Sequence, residues 1–382
     1  MNNKKIAVIF GGNSTEYDVS LQSAFAVLEN LSTEKYDIIP IGITREGNWY
    51  HYIGDYNNIQ NNTWFERDTD IIPVIVSQNR VKNGIIEFLI PDAVSQNHIP
   101  NSAIESCEND IKYTKLDFVF PVLHGKNGED GTVQGLFELA GIQVIGCGTL
   151  SSALCMDKDK SHKLVHSEGI KVPKSILLKY SDKFNVAELS KDLTYPLFIK
   201  PVRAGSSFGI SKIYKKEELQ VAVDLAFEHD NEVIIEENID GFEVGCAVLG
   251  NDDLLVGRVD EIELSKGFFD YTEKYTLKSS KIHMPARIDL DCEKRIQETA
   301  KIIYRTLGCS GFARVDMFLT PSGEIIFNEV NTIPGFTSHS RYPNMMKGIG
   351  LSFEEILDKI IEVYINCLLY TSPSPRDQRG SR

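Results

Sequence analysis

The chain is expected to fold as a multidomain protein, α/β at its start and α+β after that. Three observations carry this. Short apolar runs alternate with amphipathic helical stretches over residues 1–142, the pattern of a mostly parallel sheet. Beyond residue 143, strand-like segments are joined by Gly/Ser turns instead. The 382 residues suffice for two or three domains and a sizeable core.

Taken in order, IAVIF (6–10) is a short buried strand ending at Gly11 and Gly12. A helix beginning near Ser20 runs through LQSAFAVLENL, and YDIIPIGI is the next strand. Residues 54–113 are polar and irregular, with short apolar runs such as IIPVIV, and read as a decorated insertion. LDFVFPVLHG is a strand entering a glycine-rich loop, and GTVQGLFELAG is the helix that follows. SSALCMDKDKSHKLVHSEG is expected to be one long helix with basic residues. TYPLFIKP is a strand, VRAGSSFGISKI a Gly/Ser turn with a second strand, KKEELQVAVDLAFEHD a helix, and EVIIEENI a further strand. Hairpin-like strands follow, with a polar loop at 265–282 and a helix near 293–307. GFARVDMFL and EIIFNEV are two late strands, and LSFEEILDKIIEVYINCLL is the last helix. The expected domains are 1–142, 143–239 and 240–366. The tail 367–382 is poor in apolar residues and is expected to be disordered or of non-native origin.

No apolar stretch reaches the roughly 18 residues of a membrane span. The first apolar run stops at Gly11-Gly12, too soon for a signal peptide, so a cytoplasmic protein is expected. Seven scattered cysteines without CxxC spacing fit reduced thiols better than a disulfide framework or a zinc site. The net charge of −14 argues against nucleic-acid backbones and anionic membranes as partners. A small anionic ligand is still compatible, provided its site gathers its own cations.

The late strands carry the sharpest chemical pattern. Residues i and i+2 of a strand share a face, so Arg314 pairs with Asp316 and Glu329 with Asn331. TPSG between them has turn chemistry, which makes the strands an antiparallel pair. Asp316, Glu329 and Asn331 then meet on one face, an all-oxygen donor set suited to Mg²⁺ or Mn²⁺. A buried ion-pair cluster, with Arg314 neutralising Asp316, satisfies the same pattern.

Other segments are weaker by themselves. KPVRAGSSFG (200–209) can turn backbone N–H groups toward phosphate, with Lys200 and Lys158 as point charges, or it is a plain hairpin turn. VIIEENIDGFE (233–243) can offer backbone groups to an adenine and a carboxylate to a ribose. Glu16 can bind a substrate ammonium or cap a helix. HGKNGEDG is a polar loop in which His124 is catalytic or structural. FFDYTEKY (268–275) is a lid, bringing Lys274 to a phosphate, or a surface loop.

As an ordered set these motifs are specific. GGNSTEYDVS, PVLHGKNGEDGTVQG, ALCMDK, KPVRAGSSFGISK, IIEENIDGFEV, FFDYTEKY, FARVDMF and FNEVNTIPGFTSHSRYP together resemble the D-alanine–D-alanine ligase family of the ATP-grasp fold, over residues 4–366. The resemblance implies a Rossmann-like, parallel-sheet pre-ATP-grasp domain followed by a two-lobed ATP-grasp fold. It also implies ATP, two Mg²⁺ (or Mn²⁺) ions and a homodimer. In the implied reaction ATP phosphorylates D-alanine, and the amine of a second D-amino acid attacks the acyl phosphate. The resemblance places Asp316, Glu329 and Asn331 on the metals, and Arg314 with the Gly335 N–H at the oxyanion. It gives Glu16 the first substrate's ammonium, in a triad with Ser206 and Tyr275 that ties the lid shut. Lys158, Lys200 and Lys274 match phosphate lysines, beside Ser207 of the Gly/Ser loop. Glu236, Glu237, Ile239, Glu243 and Phe268 match nucleotide contacts. His124 matches a contact to the first substrate's carboxylate and Ser340 one to the second's.

Two departures, STEYDVS in the first loop and Arg341 in SHSRYP, resemble the Van-type branch of glycopeptide resistance. Tyr275 of EKY is kept, which resembles the D-alanine–D-serine ligases of the VanC and VanG group and not the depsipeptide makers. D-alanine and D-serine are thus the expected substrates, with D-alanine the alternative second substrate.

Overall fold

The computed structural model describes residues 3–89, 111–182, 188, 190–205, 209–264 and 280–371, and their strands assort into three sheets. The first contains β1 (Lys4–Gly11), β2 (Tyr36–Ile43), β3 (Trp49–Tyr52), β4 (Ile71–Val76), β5 (Gly84–Phe88), β6 (Ile111–Lys115), β7 (Phe118–Pro121) and β8 (Gln143–Val144), in the order β6-β5-β4-β3-β2-β1-β7-β8. The strands β2, β1, β7 and β8 run parallel, as the alternation with helices requires. Helices α1 (Tyr17–Asn30), α2 (Tyr56–Gln60) and α3 (Thr132–Ala140) accompany this sheet. Both faces of β1 are apolar: Ile6, Val8 and Phe10 enter one core cluster, and Ala7 and Ile9 another. A strand covered on both sides reads as a continuous apolar run.

Two expectations need correcting here. Part of the 54–113 segment is built into the sheet, because IIPVIV is β4 and residues 84–88 and 111–115 are β5 and β6, an antiparallel extension of β3. Their stability comes from pairing with a preformed edge, which a short run does not announce. The sheet also continues past residue 142, since β8 pairs with β7.

The long helix expected after residue 150 is two helices, α4 (Thr149–Met156) and α5 (Lys158–Ser167). Asp157 between them is extended, and its side chain accepts the Lys160 N–H at 3.0 Å. An Asp N-cap is a sufficient reason to restart a helix. The second sheet holds β9 (Ser175–Lys179), β10 (Leu197–Pro201), β11 (Ser211–Ile213) and β12 (Glu232–Glu237), ordered β11-β10-β12-β9 and antiparallel throughout. Helix α6 (Leu219–Phe227) packs Leu219, Val223 and Ala226 onto it.

The third sheet comprises β13 (Phe242–Leu249), β14 (Leu255–Val256), β15 (Asp260–Leu264), β16 (Ser280–His283), β17 (Phe312–Leu319) and β18 (Ile325–Asn331), ordered β16-β15-β13-β17-β18 with β14 paired to β13. Helix α7 (Leu290–Thr306) covers one face, packing Ile296, Ala300 and Ile303 with Ala313, Val315 and Met317. The helices α8 (Arg341–Lys347) and α9 (Phe353–Thr371) end the described chain. A core of packed rings joins the first sheet to the third: Phe120 of β7 lies edge-on 5.8 Å from Phe312 of β17, and Phe336 lies 5.4 Å from both Phe312, edge-on, and Tyr342, tilted. Such pairs add about 0.5–1.5 kcal/mol each beyond burial. They hold the two sheets in one register. Among the described residues no helix is long and apolar enough to cross a membrane.

Candidate active site

The expected pairing of the late strands is observed. β17 and β18 are antiparallel, with Arg314 opposite Asn331 and Asp316 opposite Glu329. Odd-numbered residues of β17 face α7, so Arg314 and Asp316 face the opposite side, into a cavity of about 570 Å³. Two carboxylates directly across a ladder repel unless cations answer them. Arg314 supplies two donors, with Nε 2.8 Å from Asp316 Oδ1 and Nη2 2.7 Å from Oδ2. Asn331 adds its amide at 2.9 Å from the same Oδ2. Arg314 is pulled out of water, but Asp316 beside it more than offsets this and holds its pKa up. Among the described residues no group of three or more His, Cys, Asp and Glu side chains is arranged to hold a metal. The buried Arg314–Asp316 ion pair is present, and Asp316 is also one of the residues expected to ligate metal.

Arg341, the first residue of α8, reaches into the same floor. Its Nε and Nη2 each lie 2.8 Å from an oxygen of Asp260 on β15, and Nη1 lies 2.7 Å from Glu243 Oε1 and 3.4 Å from Asp316 Oδ1. Burial works against its charge, yet Asp260, Asp316 and Glu243 raise its pKa well above the ordinary value. Gly245 makes this possible. It pairs with Asp260 on one side and Asp316 on the other, and a Cβ there would fall 2.4 Å from Arg341 Nη2. A strand residue without a side chain leaves the hole the guanidinium fills.

The other wall comes from the carboxyl ends of parallel strands, where open α/β sheets carry their ligands. The turn after β1 holds Glu16, and the loop after β7 holds His124 and Glu129. Glu16 starts α1 without a side-chain cap bond, so capping does not explain it. Its Oε2 instead lies where a Cβ on Gly125 or Gly205 would fall 2.2 or 2.6 Å away. Both positions must be glycine for the carboxylate to sit there. Both oxygens of Glu129 are engaged, Oε2 by the Gly125 N–H at 2.8 Å and Oε1 by the Ile333 N–H at 3.2 Å. Burial, and then the nearby Glu16 charge, push its pKa up to about 8 against those two donors.

Of the expected residues, the cavity brings together Glu16, His124, Lys158, Glu243, Arg314, Asp316, Glu329, Asn331, Gly335, Ser340 and Arg341. Lys158 Nζ also donates to the Ala204 carbonyl at 3.0 Å, beside the Gly/Ser loop. Lys200, Glu236, Glu237 and Ile239 do not line this cavity. Lys200 Nζ lies 2.6 Å from Glu236 Oε2, on paired strands β10 and β12. Burial raises the Glu236 pKa, but Lys200, His162 and Lys158 outweigh it and hold it down. Among the described residues Glu236 Oε1 has no hydrogen-bond partner, with His162 Nδ1 3.6 Å away, an acceptor left over in a buried site. Ser206, Ser207, Phe268, Lys274 and Tyr275 lie outside the described residues, as do positions 265–279 of the expected lid and 372–382 of the tail.

Sequence reasoning missed Asp260, Gly245, Glu129, Ser23 and His162. Only Asp260 had a visible signal, an acidic residue opening the apolar-polar alternation of DEIEL.

The geometry joins a basic and acidic floor to a glycine-lined carboxylate, and comparisons with known proteins agree with it. Two family models match, described as D-ala D-ala ligase N-terminus over residues 5–147 and D-ala D-ala ligase C-terminus over residues 164–362. The solved VanG D-Ala:D-Ser ligase from Enterococcus faecalis is 67% identical, with a TM-score of 0.84, covering 95% of this chain and 100% of that one. The vancomycin B-type resistance protein VanB of Enterococcus faecalis is 43% identical over 96% of this chain and 99% of its own. A D-alanine–D-alanine ligase of Caldicellulosiruptor bescii is 40% identical, over 96% of each chain. The expected order of a parallel-sheet domain and a two-lobed ATP-grasp fold is the observed one. Matched through both halves by one family's models, and over nearly its whole length by relatives at 40% identity and above, the chain belongs to the D-alanine–D-alanine ligase family.

Proposed function

We propose that the enzyme joins D-alanine to D-serine at the expense of ATP, making an altered peptidoglycan precursor terminus that confers vancomycin resistance. The observation that carries the serine half is the 67% identity to the VanG D-Ala:D-Ser ligase across all of that chain. The Arg341–Asp260 pair beside the cavity supports it physically. A serine hydroxyl can donate to the carboxylate and accept from the guanidinium, whereas a methyl leaves those groups as they were.

In this reading Glu16 takes the ammonium of the first D-alanine. A carboxylate oxygen of that D-alanine attacks the γ-phosphorus of ATP, the bond to the β-phosphate oxygen breaks, and D-alanyl phosphate and ADP result. Lys158 and Lys200 attract the phosphates, and the leftover Glu236 Oε1 suits the amino group of an adenine. The amine of D-serine then attacks the acyl carbon. The oxygen that becomes negative faces the Gly335 N–H and the Arg314 Nη1, and collapse expels phosphate. Asp316, Glu329 and Asn331 form an oxygen-only set that fits Mg²⁺, with Arg314 and Arg341 holding Asp316 when no metal is bound. Metal held by these residues would supply neutralisation of phosphate charge during transfer.

The test is product analysis with ATP, Mg²⁺ and equal D-alanine and D-serine. D-Ala-D-Ser is expected to dominate. A D-Ala-D-Ala product instead would favour the second reading, ordinary cell-wall ligation, for which the Caldicellulosiruptor bescii relative speaks.

A further inference from the structure

Ser23 has no place in the reaction just described, yet it is completely buried on α1 beside the site. Its Oγ lies 3.0 Å from His124 Nε2 and accepts the Phe336 N–H at 3.2 Å. The other ring nitrogen of His124, Nδ1, lies 3.0 Å from the Ile333 carbonyl oxygen. A carbonyl only accepts, so Nδ1 carries the proton. Nε2 of a neutral ring is then an acceptor, and the Ser23 hydroxyl must donate to it. That leaves the Ser23 lone pairs for Phe336. Every polarity in this chain agrees, from Phe336 N–H through Ser23 and His124 to Ile333 C=O. Burial above all pushes the His124 pKa down, which keeps the ring neutral. The Ile333 N–H is held separately by Glu129.

Both ends of the four-residue turn 333–336 are thus tied to the first domain. Pro334 has no N–H, and among the described residues the Gly335 N–H has no acceptor. Gly335 lines the cavity.

We propose that Ser23 is a positioning residue for ligation: with His124 it clasps the turn that carries Gly335, so that its N–H stays aimed at the reacting carbonyl. The proposal rests on the reading of Gly335 as an oxyanion donor. It also gives His124 a different task from a contact to the substrate carboxylate, because both of its nitrogens are already engaged within the protein.

The decisive variant is Ser23→Ala, assayed for dipeptide formation with D-alanine, D-serine and ATP. The expected result is a kcat lower by about ten- to a hundredfold, since small misplacements of a transition-state donor cost that much. The KM for the first D-alanine should change less than about twofold, because Ser23 touches no substrate. A folded variant with wild-type kcat overturns the proposal. So does a raised KM at unchanged kcat, which would put the pair on the substrate. Nitrogen NMR of labelled histidine in the wild-type protein is the second measurement, independent of the variant's folding. A proton on Nδ1 at neutral pH supports the clasp, and a proton on Nε2 or a charged ring overturns it. If the wild-type protein shows no ATP-dependent ligation, the functional reading fails, while the NMR result still decides whether the clasp exists.

Discussion

β1 and β17 are both central, buried strands, yet they contribute to the site in opposite ways. β1 is apolar on both faces, with residues 6–10 completely buried between two core clusters, and its chemistry begins only in the turn after it. β17 is wholly apolar on one face, where Ala313, Val315 and Met317 meet α7, whereas the other face begins with Phe312 in the core and then carries Arg314 and Asp316 into the cavity. The difference follows from what covers each sheet. Helices on both sides of a parallel sheet leave only strand ends for function. An antiparallel sheet with one open face can place charges along the strand itself.

That contrast can be broken by substitution. Glu329→Gln, opposite Asp316, should abolish turnover while the melting temperature stays within a few degrees, as steady-state assay and calorimetry would register; wild-type rates would remove Glu329 from any metal site. Phe10→Ala in β1 should do the reverse. It removes a ring packed 5.1 Å from Trp64 and should cost about 3–5 kcal/mol in a denaturant titration, with kcat per folded molecule unchanged. Gly245→Ala sharpens the comparison within the third sheet. Its Cβ would displace Arg341 from Asp260, so the preference for D-serine over D-alanine should fall about tenfold, or about 1.4 kcal/mol, in competition assays. An unchanged ratio would free the pair from any role in specificity.

The smallest effect concerns pH. In the unfolded chain Glu129 ionises near the ordinary value of 4.5, whereas in the fold it does so near 8. The folded state therefore holds the extra proton between these values. The stability this group contributes is complete below the ordinary range and is lost as pH rises through that range toward 8. Glu129→Gln should flatten that limb of a melting-temperature series from pH 5 to 9. An unchanged slope would mean that Glu129 is already ionised in the fold.

Much of the site was legible because it is local. Strand periodicity placed Arg314 with Asp316 and Glu329 with Asn331, and a four-residue turn made their pairing almost unavoidable. The glycine-rich ends of β1 and β7 likewise announced where loops would open. The broken helix at Asp157 was readable in principle, since an Asp before a lysine-rich helix start is a capping signal that yielded to the longer helical pattern. The strands within 54–113 were not readable, because short runs become strands only when an edge is offered to them.

What the sequence determined by itself is the inventory and its local periodicity: which strands carry charge, where the turns lie, and the family to which the order of motifs points. Only the tertiary structure decided that Arg341 would lie between Asp260 and Asp316 over a bare Gly245, and that Ser23 would reach Phe336 across 313 positions of chain. The physical reason is that periodicity acts between neighbours in the chain. A buried hydrogen bond or ion pair is decided by which groups packing leaves without water, and that is known only once the sheets have met.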